Sequence, residues 1–120
     1  MTRFLIIIFI ICIVLVALNC FGYIGYTDEE IVNAIFKAEG EYKADYLYGI
    51  RSVKYKNEAE ARQICFNSVR NSKIRWAKAG KPEDFISFMG KRYCPPKAHS
   101  KNSNWVRNVK WFLVYNREGE

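Results

Sequence analysis

Residues Phe4 to Leu18 read FLIIIFIICIVLVAL, fifteen positions without a charge or a polar side chain, preceded by the single basic residue Arg3. A basic start followed by an apolar run is the layout of a secretory signal, so this stretch reads as an address and not as part of a soluble fold. A membrane span needs roughly 20 apolar residues, a length reached only by counting on through NCFGYIGY. Three outcomes follow: a cleaved signal, an uncleaved signal anchor, or lipidation at Cys20, the last disfavoured by Asn19 directly before it. The best cleavage point leaves Cys20 and Gly22 at the small-residue positions and starts the mature chain at Tyr23. The chain thus divides into residues 1–22, a signal peptide or anchor, and residues 23–120, a single domain. Every version exports that domain, to the periplasm or the cell exterior, with the inner membrane as an anchor through residues 4–18 if the signal stays.

Export decides how the cysteines and charges read. Cys12 and Cys20 belong to the address, which leaves Cys65 and Cys94 as a pair in an oxidising compartment and predicts a disulfide between them. Closing a loop of about 30 residues would contribute roughly 3 to 4 kcal/mol. Zinc is excluded by ligand count, since two cysteines and the distant His99 do not make a site at the usual spacing. The net charge is +7, of which the address contributes one through Arg3, so the mature domain carries +6. For an exported protein that charge suits envelope polymers and lipid head groups; nucleic acid is not an expected partner. The apolar residues follow helical stripes, which predicts a soluble monomer; no cofactor is expected.

Thr27 and Glu30 form a T-x-x-E capping box, with Asp28 and Glu29 in the first turn, so the first helix of the domain starts there. Ile31, Ile35 and Ala38 make its apolar stripe, and Gly40 stops it. Tyr46 to Tyr55 carries β-favouring residues around Gly49 and predicts a short strand or hairpin. A second helix begins near Asn57 and ends at Gly80, with Ala61, Ile64, Cys65, Ser68, Val69 and Trp76 broadly on one side. Pro82 at a first-turn position opens a third, PEDFISFMGKRY, and Pro95-Pro96 forbids its continuation. A polar loop leads to a fourth, NWVRNVKWFLVYN, with Trp105, Val109 and Phe112 at helical spacing. The expected fold is mainly α, about four helices with a short β segment after the first. There is no internal repeat.

Glu39 is the unusual residue. It lies four positions after Ile35 and eight after Ile31, so it projects from the face that forms the core, where a carboxylate is either drawn out to solvent or kept for chemistry. The order of Ala38-Glu39-Gly40, Tyr48-Gly49-Ile50, ICFNSVRN, FMGKRYCP and NWVRNVKWFL resembles the lysozyme-like superfamily, specifically small exported or phage-borne proteins similar to soluble lytic transglycosylases. The resemblance runs from about Thr27 to Leu113 and implies an α+β lysozyme-like fold. It implies that Glu39 is the catalytic glutamate at the head of a cleft, that Tyr48, Gly49 and Ile50 match the start of the β segment beside it, and that Tyr93 is the cleft tyrosine. Tyr48, Gly49, Ile50 and Tyr93 would bind the peptidoglycan glycan strand that Glu39 cleaves. Departures from the family pattern are the absence of Met-Gln after Ile50, Gly40 in place of a serine, and no Ala-Tyr-Asn-Ala-Gly stretch.

Cleaving a β-1,4 glycosidic bond requires protonation of the leaving oxygen as the sugar carbon becomes oxocarbenium-like. Apolar neighbours and a helix C-terminus both raise a glutamate's pKa towards that role. No second carboxylate among Glu41, Asp45 and Glu58 stands out. The resemblance implies a way round this, in which the substrate's N-acetyl group and 6-hydroxyl assist and one glutamate acts as acid and then base, giving a 1,6-anhydro product. Hydrolysis is the alternative. Tyr48, Tyr93, Trp76 and Trp105 read as cleft-lining or as core; His99 has no assigned role, and Ser52, Ser68 and Ser72 lack a hydrolase motif. The rival readings are a non-catalytic glycan- or envelope-binding protein and a membrane-tethered basic module without a cleft.

Overall fold

Thr27 caps the first helix of the domain through its own side chain: its hydroxyl accepts from the Glu30 backbone N–H at 3.1 Å, and the Glu30 carboxylate accepts in return from the Thr27 N–H. In the computed structural model, which describes residues 2–22, 25–95 and 102–119, five helices follow in order. They are α1 (Thr2–Gly22), α2 (Asp28–Ala38), α3 (Glu58–Lys78), α4 (Phe85–Tyr93) and α5 (Asn102–Glu118), with single 3-10 turns at Glu41–Lys43 and Leu47–Gly49 between α2 and α3. The cleavage point before Tyr23, the side chain of Cys20 and the loop residue His99 lie outside what is described.

The core is the meeting of α2, α3 and α5, with α4 bridging α3 and α5. Ile31, Val32, Ala34 and Ile35 of α2 pack with Ala61, Cys65 and Val69 of α3, Met89 of α4, and Trp105, Val109 and Leu113 of α5. These recur at steps of three and four on each helix, which is why one stripe of each faces inward. Arg117 clasps α5 to α2, its Nε and Nη2 donating to Glu30 at 2.6 and 2.9 Å. The same bond holds the Glu30 carboxyl down at about 2, from an ordinary 4.5. A carboxylate with a lowered folded pKa stabilises the fold above its unfolded value, and that contribution is lost as pH falls from 4.5 through about 2. Because the pair is partly exposed, the contribution is about 1 kcal/mol or less. Glu30→Gln, which keeps the capping box, should flatten acid unfolding over that interval while leaving stability at neutral pH lower by the same small amount; urea midpoints measured at several pH values check it.

Three expectations are corrected. Among the described residues the chain is all helical, so the α+β architecture and the strand across Tyr46 to Tyr55 are not formed. The reason is local: Tyr48 (φ 57°) and Gly49 (φ 71°) are successive left-handed residues, and the N–H groups of Gly49 and Ile50 close turns onto the carbonyls of Tyr46 and Leu47. The Leu47 N–H is taken by the Tyr55 hydroxyl at 2.9 Å. Donors committed to turns leave no ladder to build. In the second correction, Pro82 precedes α4 and does not open it; Asp84 is the cap, its carboxylate accepting from the Ser87 N–H at 3.0 Å.

The third concerns Cys65 and Cys94, which are not joined. Cys65 is fully buried on α3 with the Tyr93 hydroxyl 4.0 Å from its sulfur, while Cys94 follows as the half-buried C-cap of α4. Tyr93, not Cys94, is the α4 side chain that reaches Cys65, and burial pushes that thiol up to about 12. An apolar site disfavours the thiolate that disulfide exchange needs.

Helix α1 stands apart, packing against no other described element. Its described apolar side chains, Phe4 to Leu15, are exposed. Of the alternatives for residues 1–22, the membrane anchor is not seen as a span: among the described residues no helix is long and apolar enough to cross a membrane.

Candidate functional site

Glu39 is the C-cap of α2, its backbone N–H bonded to the Ile35 carbonyl at 2.9 Å, and Gly40 turns the chain away with a φ of 103°. The apolar stripe that ends here carries the Glu39 side chain towards α5, where the Trp105 indole N–H donates to its Oε1 at 2.9 Å. Trp105 is 6% exposed. A buried indole nitrogen requires a partner, and Glu39 supplies it. The tryptophan can reach this position because α4 and α5 cross closely at Gly90, where a Cβ would lie 2.8 Å from Val106 Cγ2 and 3.2 Å from the Trp105 ring.

The turn Leu47–Gly49 forms the other wall. Gly49 packs its backbone onto the Glu39 carboxyl so closely that a Cβ there would fall 2.7 Å from Oε1 and 2.9 Å from Oε2. The turn itself is pinned from beneath. The Tyr93 hydroxyl donates to the Tyr48 carbonyl, and Arg62 Nη1 donates to the Tyr48 hydroxyl at 3.3 Å. Burial, then the nearby Cys65 and Glu39, raise the Tyr93 phenol above its ordinary value, so it remains a neutral donor at physiological pH. Its ring lies 5.3 Å from that of Trp105, so both contacts around Glu39 rest on one aromatic pair.

Beside the carboxyl is an open cavity of about 310 Å³ lined by Glu39, Gly40, Lys43, Ala44, Asp45, Tyr46, Gly49 and Arg51. Burial raises the Glu39 pKa above its ordinary value; the Trp105 hydrogen bond and then the Arg51 charge oppose this without cancelling it. A half-buried carboxyl with a raised pKa, one oxygen fixed and a cavity against it can deliver a proton to a bound group. The Arg51 guanidinium also lies 5.2 Å above the Tyr46 ring, which gives the rim a cation and an exposed aromatic face together.

Of the residues expected to contact substrate, only Gly49 shares the cavity with Glu39. Tyr48 (1% exposed) and Ile50 (8%) are core residues, and Tyr93 acts from below on the turn. Among the expected second carboxylates, Asp45 lines the cavity, whereas Glu58 accepts from the Tyr42 hydroxyl at 2.9 Å. Sequence reasoning missed Lys43, Tyr46 and Arg51 as lining residues and Trp105 as the partner of Glu39. The last had a signal: an indole N–H on an apolar stripe and a carboxylate on another. Among the described residues no group of histidines, cysteines and carboxylates could hold a metal ion. No protein-family model matches the chain, and no curated protein or solved structure matches it.

Proposed function

We propose that this protein cleaves the β-1,4 glycosidic bonds of peptidoglycan, with Glu39 as general acid and then as base. The observation that carries the reading is the Glu39 carboxyl itself: held by Trp105, pressed by Gly49, raised in pKa by burial, and facing an open cavity. Protonated Glu39 gives its proton to the leaving glycosidic oxygen as the bond to the sugar carbon breaks. The resulting carboxylate then removes a proton from the attacking hydroxyl, so the group ends as it began. The indole N–H, bonded to Oε1, stabilises that carboxylate between the two transfers and fixes its orientation. Lys43 and Arg51 at the rim suit a substrate whose peptide stems carry carboxylates.

Two nucleophiles fit the same acid. If the substrate's own 6-hydroxyl attacks, the product is a 1,6-anhydro sugar and one carboxyl suffices; if water attacks, a second carboxylate has work, and Asp45 lines the cavity for it. Digestion of purified sacculi, followed by mass analysis of the released muropeptides, separates them. The expected product is 1,6-anhydro ends. Reducing ends would assign hydrolysis to the Glu39 and Asp45 pair, and no soluble product of either kind would overturn cleavage in favour of a glycan-binding role.

A further inference from the structure

A second and larger cavity, of about 680 Å³, lies between α3 and α4 and shares no lining residue with the one beside Glu39. Three cations and one carboxylate line it: Arg75, Lys91 and Arg92 against Glu83. Lys91 and Glu83 satisfy each other, Nζ to Oε1 at 2.8 Å. The two arginines are left over. Arg75 Nη2 donates to the buried Ser72 hydroxyl at 2.9 Å, and among the described residues neither arginine forms an ion pair with a carboxylate. Arg92 instead acts on Arg75: partial burial, and then the Arg92 charge, lower the Arg75 pKa from its ordinary value.

Two guanidinium groups held near each other without a counter-charge repel, and the repulsion is relieved by an oxyanion lying between them. Guanidinium forks match the two oxygens of a carboxylate or phosphate, so the relief comes with directed hydrogen bonds. Phe88 and the fully buried Met89 give the cavity an apolar wall beside the charges. Its volume falls in the range of small-molecule sites, which commonly combine an apolar lining with a few converging polar groups.

We propose that the α3–α4 cavity is a binding site for a small oxyanion-bearing ligand with a short apolar portion, gripped by Arg75 and Arg92 with its apolar part on Phe88 and Met89. For a protein of the envelope the oxyanion has two sources, the phosphate of a polymer unit or the terminal carboxylate of a peptide stem. Isothermal titration of the full chain in a neutral detergent, with glycerol 3-phosphate in one arm and N-acetyl-D-alanyl-D-alanine in the other, tells them apart. Saturable binding of either probe is the expected result, weakened roughly tenfold or more in Arg75→Gln and in Arg92→Gln, while Glu39→Gln binds like wild type. Arg92 is exposed, so its replacement leaves the core untouched and a loss of binding there is not a loss of fold. Binding of neither probe, or binding that both arginine variants keep in full, overturns the proposal. Glycan cleavage is not the readout, so the result stands whether or not Glu39 is catalytic.

Discussion

Under the proposed mechanism, replacing Glu39 with glutamine is expected to lower release of muropeptides from sacculi by at least about 10²- to 10⁴-fold, the usual loss on removing a general acid, and by more where the same group is also the base. Glutamine keeps the size of the side chain, and its carbonyl oxygen can accept from the Trp105 indole as Glu39 Oε1 does. What it lacks is a transferable proton. Stability should move the other way. A carboxylate whose folded pKa lies above its unfolded value favours the fold below the unfolded value, and that advantage is lost as pH rises through the folded pKa. At pH values above its raised folded pKa, wild type therefore carries the cost of an ionised, half-buried carboxylate, and Glu39→Gln should there unfold at the same temperature or a higher one. Activity of wild type should likewise fall as pH rises past the Glu39 pKa, since the acid must be protonated to act. Equal cleavage by wild type and Glu39→Gln would remove this residue from the chemistry.

Gly49→Ala should also abolish most activity, and for a reason that can be isolated. The substitution introduces two faults: an alanine held at a φ of 71°, and a Cβ within 2.7 Å of the Glu39 carboxyl. The first costs about 1 to 2 kcal/mol wherever it occurs. The second acts on the site, because the carboxyl must move, and moving it breaks the bond from Trp105. Displacements of about an ångström at a reacting group can cost on the order of 100-fold in rate. Gly80 provides the control. It has a φ of 82° with nothing within 4 Å of the position its Cβ would take, so Gly80→Ala carries the backbone strain without the clash. Both variants should lose the share of stability due to backbone strain in urea unfolding, Gly49→Ala more because it also displaces the Glu39 carboxyl, and only Gly49→Ala should lose cleavage. If the two lose activity alike, the close approach of Gly49 to Glu39 has no functional weight.

The helical plan was legible because its signals are short-range. A hydroxyl and a carboxylate three residues apart at Thr27 and Glu30, an asparagine before Glu58, and glycines at 40 and 80 satisfy or release backbone groups within one turn, and no distant residue changes that. The inward aim of Glu39 follows from the 3.6-residue period in the same way, since Ile31 and Ile35 fix the face it shares. The corrected elements turn on specific hydrogen bonds, some local and some distant, that composition and spacing do not show. Tyr46 to Tyr55 has strand composition, yet its turn is held by the Tyr93 hydroxyl on the Tyr48 carbonyl and by the Tyr55 hydroxyl on the Leu47 N–H. Tyrosine favours strands on average, but here two tyrosine hydroxyls bond to the backbone of the turn.

Cys65 and Cys94 met the count for a disulfide, but pairing depends on which side chain of α4 faces α3, and that side chain is Tyr93. The site divides along the same line. Sequence by itself determined that one acid would end the α2 stripe and that Gly40 would stop the helix directly after it. Only the tertiary structure decided that α5 brings the Trp105 indole to that acid, that Gly49 closes against it, and that Lys43, Tyr46 and Arg51 surround the opening. The physical reason is range: caps and periodicity act over three or four residues, whereas the partner that fixes the Glu39 carboxyl comes from a helix 66 residues further along the chain.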